Sequence, residues 1–116
     1  MDMQRVLLLF TIFLVSFSSL ASVQQGTVTN VIVRDDGLHW FILLSDGSGE
    51  RSERPECSAT HTYWMIKDEN TRYGQSQFSM LLAAYMAKTP VKITGKHSCT
   101  RWGDGEDIST VQLLAH

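Results

Sequence analysis

At 116 residues, 43% of them apolar and 19% charged, the chain suits one small globular domain and excludes both a multidomain enzyme and a disordered segment. Ten Lys and Arg against 12 Asp and Glu leave a net charge of −2. That field is weak and of the wrong sign for holding a polyanion, which argues against a dedicated nucleic-acid binder or a basic membrane-surface protein.

The first element in chain order reads as an address. Arg5 precedes an apolar run from Val6 to Val15, and a small-residue stretch, Ser16-Phe17-Ser18-Ser19-Leu20-Ala21, follows. This pattern predicts a secretory signal peptide over residues 1–21, cut after Ala21, where Ser19 and Ala21 supply the small side chains a signal peptidase pocket accepts. The alternative is an N-terminal anchor, but roughly 10 apolar residues fall short of the ~30 Å of hydrocarbon. Residues 22–116 then form a single domain with no membrane span, secreted or periplasmic.

In such a compartment Cys57 and Cys99 are expected to form a disulfide. The competing reading is a zinc site, because His61 follows Cys57 by four residues and His97 precedes Cys99 by two. Those spacings fit the usual zinc patterns poorly, so no metal is expected.

From Gly26 to Arg34 the chain is rich in β-branched residues. Asp35-Asp36-Gly37 reads as a turn, and Leu38–Leu44 as the returning strand of a hairpin. That second strand is apolar on both sides, with Leu38, Trp40, Ile42 and Leu44 on one and His39, Phe41 and Leu43 on the other, which predicts cover over both. Ser45 to Pro55 is polar and glycine-containing, predicting an exposed, mobile loop with solvated charges. Thr62–Lys67 is a third strand, and Gln75–Lys88 a helix. Phe78, Leu81, Leu82, Tyr85 and Met86 recur there at helical spacing, predicting a core-facing stripe. Lys88 suits the negative end of the helix dipole, and Pro90 ends the element. Val91–Thr94 and Ile108–Leu114 supply strands four and five. Three strands, a helix and two strands is the order of an OB-fold, a five-stranded Greek-key barrel with one α-helix between strands 3 and 4. The alternative is an open α+β roll of the same elements.

No GxSxG, HExxH or phosphate-binding loop is present, and a bridged Cys is no nucleophile. The reading is therefore not an enzyme, with no cofactor. Asp104, Glu106 and Asp107 form the densest acidic cluster. Its alternatives are a solvated loop, a weak calcium site or acceptors for sugar hydroxyls. Asp35-Asp36 and Asp68-Glu69 read as turn residues. Trp102 lies between Arg101 and Gly103-Asp104, placed by no strand or helix period. It either caps the barrel end or presents an aromatic face for stacking on a ligand ring. The candidate ligand contacts are therefore Arg101, Trp102, Asp104 and Glu106.

The element order, together with the stretch YWMIKDENTRYGQSQFSMLLAAYMAKTPVKITGKHSCTRWGDGED, resembles small secreted proteins similar to the subtilase cytotoxin B subunit. The resemblance implies an OB-fold, a pentameric ring and recognition of sialylated glycans, while no motif carries that family's sugar-binding residues across one by one. The functional expectation is a secreted, noncatalytic module recognising glycans. The alternative is a stand-alone periplasmic or secreted OB-fold protein that binds a protein partner or serves the envelope.

Overall fold

The computed structural model describes residues 22–46 and 51–115. The expected signal peptide, residues 1–21, lies outside the described residues. The architecture is mainly β: a mixed five-stranded sheet and one helix. The elements are β1 (Val23–Val33), β2 (His39–Ser45), a single 3-10 turn (Glu56–Ser58), β3 (Trp64–Met65), α1 (Arg72–Ala87), β4 (Val91–Gly95) and β5 (Glu106–Leu113). Hydrogen bonding runs β1-β2-β3-β5-β4, and β4 pairs back onto β1. All pairings are antiparallel except β3 with β5, which is parallel.

The hairpin forms where the sequence places it. Val33 pairs with His39 across the Asp35-Asp36-Gly37 turn, where Gly37 takes a left-handed φ of 90° that an L side chain resists. Asp36 Oδ1 accepts the Leu38 N–H at 3.3 Å. A bulge shifts the β1–β2 register between Val28 and Asn30. Such an inserted residue bends a strand; here the first residues of β1 pair with β4, and the strand pairs with β2 along the rest of its length.

The core comprises Val28, Phe41, Leu43, Trp64, Ile66, Leu81, Ala84, Val91, Ile93, Ile108 and Val111, with Val31, Phe78 and Met80 packed against it. Only one side of β2 is fully covered. Phe41 and Leu43 point inward, whereas Leu44 is 67% exposed, so the expected double cover is corrected. β3 is shorter than the expected Thr62–Lys67, and only Trp64 and Met65 keep strand pairing.

α1 is capped by Thr71, whose Oγ1 accepts the Gly74 N–H at 3.1 Å, and it ends at Lys88 in the left-handed region with φ 56°. Its buried residues are Gly74, Gln77, Leu81 and Ala84. At ~100° per residue this face is turned roughly a quarter turn from the expected stripe. Leu82, Tyr85 and Met86 are therefore exposed, Met86 by 74%, which corrects their assignment to the core. Gly74 lies against the Asp68 carbonyl, which a Cβ there would meet at 2.0 Å, while Leu81 and Ala84 join the core and Gln77 Nε2 donates to the Ser109 carbonyl at 2.9 Å.

Charged groups also enter the interior, Asp107 among them. Arg51 and Glu106 pair at 2.7 Å with side chains 5% and 0% exposed, and the Arg51 guanidinium lies 3.8 Å from the centre of the Trp64 ring. Arg51 therefore leaves the solvated set expected for residues 45–55. Burial lowers its pKa, with the Glu106 hydrogen bond opposing the shift. Arg54 also turns inward, donating to the Ser58 and His61 carbonyls. Among the described residues no helix is long and apolar enough to cross a membrane.

Candidate functional site

Strand alternation decides what β2 and β3 show on their outer side. Phe41 and Trp64, Cα partners in the sheet, both point into the core. Their neighbours Trp40, Tyr63 and Met65 therefore gather on the opposite face. The β1–β2 turn adds Arg34 and Leu38, and the β4–β5 loop adds Trp102. These six residues line a cleft of about 120 Å³. That volume is below the roughly 300–1,000 Å³ of ordinary small-molecule sites, so it suits one ring rather than an extended ligand.

The aromatic walls hold one another in place. The Trp40 and Tyr63 rings lie 4.7 Å apart and tilted by 60°, within the range of favourable aromatic pairing. The indole N–H of Trp102 donates to the Tyr63 hydroxyl at 3.1 Å. Arg34 lies 5.1 Å from the centre of the Trp102 ring, a cation–π distance, and pairs with Asp36 at 3.0 Å. On the outer side of Tyr63 the His61 ring packs at 5.3 Å.

Trp102 is carried by a loop with three separate anchors. The disulfide Cys57–Cys99 ties it to the 3-10 turn. Asp107, fully buried, collects the loop from within: its Oδ2 accepts Ser98 Oγ at 2.9 Å, the Thr100 N–H at 3.0 Å and Thr100 Oγ1 at 2.6 Å, and its Oδ1 accepts the Arg101 N–H at 3.2 Å. Arg101 then grips Glu69 with two hydrogen bonds, Nε at 3.0 Å and an η-nitrogen at 2.6 Å, and reaches the Asp36 carbonyl at 3.3 Å. Arg101 holds the Glu69 carboxyl below the usual range, and Glu69 in turn raises Arg101. Gly105 closes the loop through its pairing with Trp102. A Cβ on Gly105 would stand 2.4 Å from Met65 Cγ and 2.7 Å from Tyr63 Cε2, so only glycine lets this backbone rest on the cleft floor.

Of the four candidate contacts, Trp102 alone lines the cleft. Arg101 ties the Trp102 loop to Glu69 and the β1–β2 turn. Asp104 is exposed and faces His61 at 3.7 Å. Glu106 does not join them: it is paired with Arg51 and accepts the His97 N–H at 3.1 Å. The solvated-loop reading is thus corrected for Glu106 and Asp107, which belong to β5. The zinc reading is overturned by the disulfide, which takes both sulfurs. Among the described residues no group of three or more His, Cys, Asp or Glu side chains is placed to hold a metal.

Sequence reasoning missed Arg34, Leu38, Trp40, Tyr63 and Met65. The available signal was strand parity: once Phe41 and Trp64 face inward, Trp40 and Tyr63 must face out. Comparisons with family models, curated proteins and solved structures find no match to this chain.

Proposed function

We propose that the chain is a secreted, noncatalytic OB-fold module that recognises glycans through the Trp40–Tyr63–Trp102 cleft. The observation that carries this reading is the cleft's position. OB-folds bind oligosaccharides and oligonucleotides on the face of strands 2 and 3, between the loops joining strands 1 to 2 and 4 to 5. The six lining residues come from those two strands with their flanks and from those two loops. The strand order β1-β2-β3-β5-β4 with β4 returning to β1, and a helix between β3 and β4, supports the OB assignment. Net charge −2 favours sugar over nucleic acid.

The chemistry of the walls supports stacking. Two Trp rings and a Tyr offer apolar faces to the C–H side of a pyranose, and the lining places no nucleophile beside a base. The disulfide supports an oxidising compartment, and the resemblance to subtilase cytotoxin B subunits points the same way. The test is a glycan array probed with oxidised wild-type protein and with Trp102→Ala. Glycan signal that disappears in the variant supports the reading, and its absence from a folded wild-type protein removes it.

A second reading, action through a protein surface, rests on the exposed Leu82, Tyr85 and Met86 of α1. The pentameric ring implied by the resemblance is one form of it. Light scattering at micromolar concentration tests the ring, and a strictly monomeric protein rejects it.

A further inference from the structure

The charges around the cleft bear on which sugars it admits, an inference that rests on the glycan reading above. Both arginines in reach of the aromatic walls are paired, Arg34 with Asp36 at 3.0 Å and Arg101 with Glu69 at 2.6 Å, and Asp104 faces His61 at 3.7 Å. Three carboxylates thus stand against two permanent cations. Arg101 also lies in the field of Asp36 and Asp68, which with Glu69 stabilise its charge. An acidic ligand would have to displace Asp36 from Arg34 and sit among carboxylates. A cationic ligand meets a different obstacle, the like charge of the Arg34 guanidinium 5.1 Å from the centre of the Trp102 ring.

We infer that the cleft selects an uncharged ring, the face of a neutral pyranose, and rejects acidic and cationic sugars. The aromatic walls supply attraction that needs no ligand charge, and both permanent cations of the rim are already paired. Like charges brought together across an interface disfavour the wrong partner, and the expected discrimination is about tenfold in affinity.

The experiment uses an array on which identical cores end in galactose or N-acetylglucosamine, in a sialic or uronic acid, or in unacetylated glucosamine. Wild type, Trp102→Ala, Asp36→Asn and Arg34→Gln are compared on it. The expected result is signal on neutral termini that is lost in Trp102→Ala. It should hold within about twofold from ~0.01 M to ~1 M salt, over which the screening length falls from ~30 to ~3 Å. Asp36→Asn, which leaves Arg34 unmatched, should admit acid-capped glycans, and Arg34→Gln should admit glucosamine termini. Trp102-dependent, salt-sensitive binding of acid-capped or glucosamine-ended glycans by wild type overturns the inference while leaving the glycan reading in place. Absence of any Trp102-dependent signal removes the glycan reading itself.

Discussion

Replacing Asp107 tests whether the candidate site is held by one buried carboxylate. Asp107→Ala strips partners from two backbone N–H groups and two hydroxyls. Hydrogen bonds to a charged group are worth about 1.5–3 kcal/mol each. The four share one carboxylate and Thr100 is exposed, so water recovers part of the loss. A net cost of about 3–4 kcal/mol follows, or a fall in Tm of roughly 15–25 °C for a domain of this size. Asp107→Asn keeps one oxygen for Ser98 and Thr100 and turns its NH2 against the Arg101 N–H, which limits the cost to about 1–2 kcal/mol. Thermal melts followed by circular dichroism, on oxidised protein at neutral pH, measure both. A Tm within ~5 °C of wild type for Asp107→Ala would refute the argument. So would equal losses for Asn and Ala, which would make shape rather than hydrogen bonding the cause.

Further outcomes are expected elsewhere in the site. Removing the disulfide by a Cys57→Ser, Cys99→Ser double substitution should cost about 4 kcal/mol, the chain-entropy value for a loop of roughly 43 residues, read by urea unfolding. Glu69 is held below its ordinary pKa by Arg101, so its contribution to stability is full above about pH 4.3 and is lost as pH falls through the lowered folded value. Urea midpoints in Glu69→Gln should lose that acid dependence. Gly105→Ala should both lower Tm and weaken binding, because its new methyl must push Met65 and Tyr63 out of the cleft wall. Trp102, 40% exposed, should behave oppositely: Trp102→Ala should abolish glycan binding at a stability cost of about 1–2 kcal/mol, well short of the ~3–5 kcal/mol for a buried indole.

The hairpin was legible because its turn is encoded locally, in Asp35-Asp36-Gly37 between two β-branched or apolar runs. The helix was legible as a helix, but its buried face was not. Periodicity weighs apolarity, whereas packing buried Gln77, Leu81 and Ala84, with Gly74 against the Asp68 carbonyl, over the more apolar stripe a quarter turn away. Glu106 and Asp107 were misread for a related reason. Nothing local distinguishes a solvated carboxylate from one whose partners arrive from distant segments, and Arg51 reaches Glu106 from 55 positions away. Trp102 stood out because no period placed it. Its companions were hidden because the cleft exists only once parallel pairing sets Trp64 beside Glu106 and Met65 beside Asp107.

The distribution of anchors bears on both alternatives for Trp102, cap and ligand contact. An indole that merely capped a barrel end would be held by its own burial and would need little else. Here the ring is partly exposed, while the loop beneath it has a disulfide, a buried carboxylate with four bonds and a two-pronged Arg–Glu pair. Those interactions fix the loop backbone and the Tyr63 hydrogen bond orients the ring, leaving the Trp102 face to Arg34 and solvent. Rigid presentation of an exposed aromatic reduces the conformational entropy lost on binding. It makes little contribution to the core, which lies on the other side of β2 and β3. Under the proposed function this anchoring serves contact with a ligand, and the sensitivity of binding then lies in residues that never touch the ligand, Asp107 and Cys99 first among them.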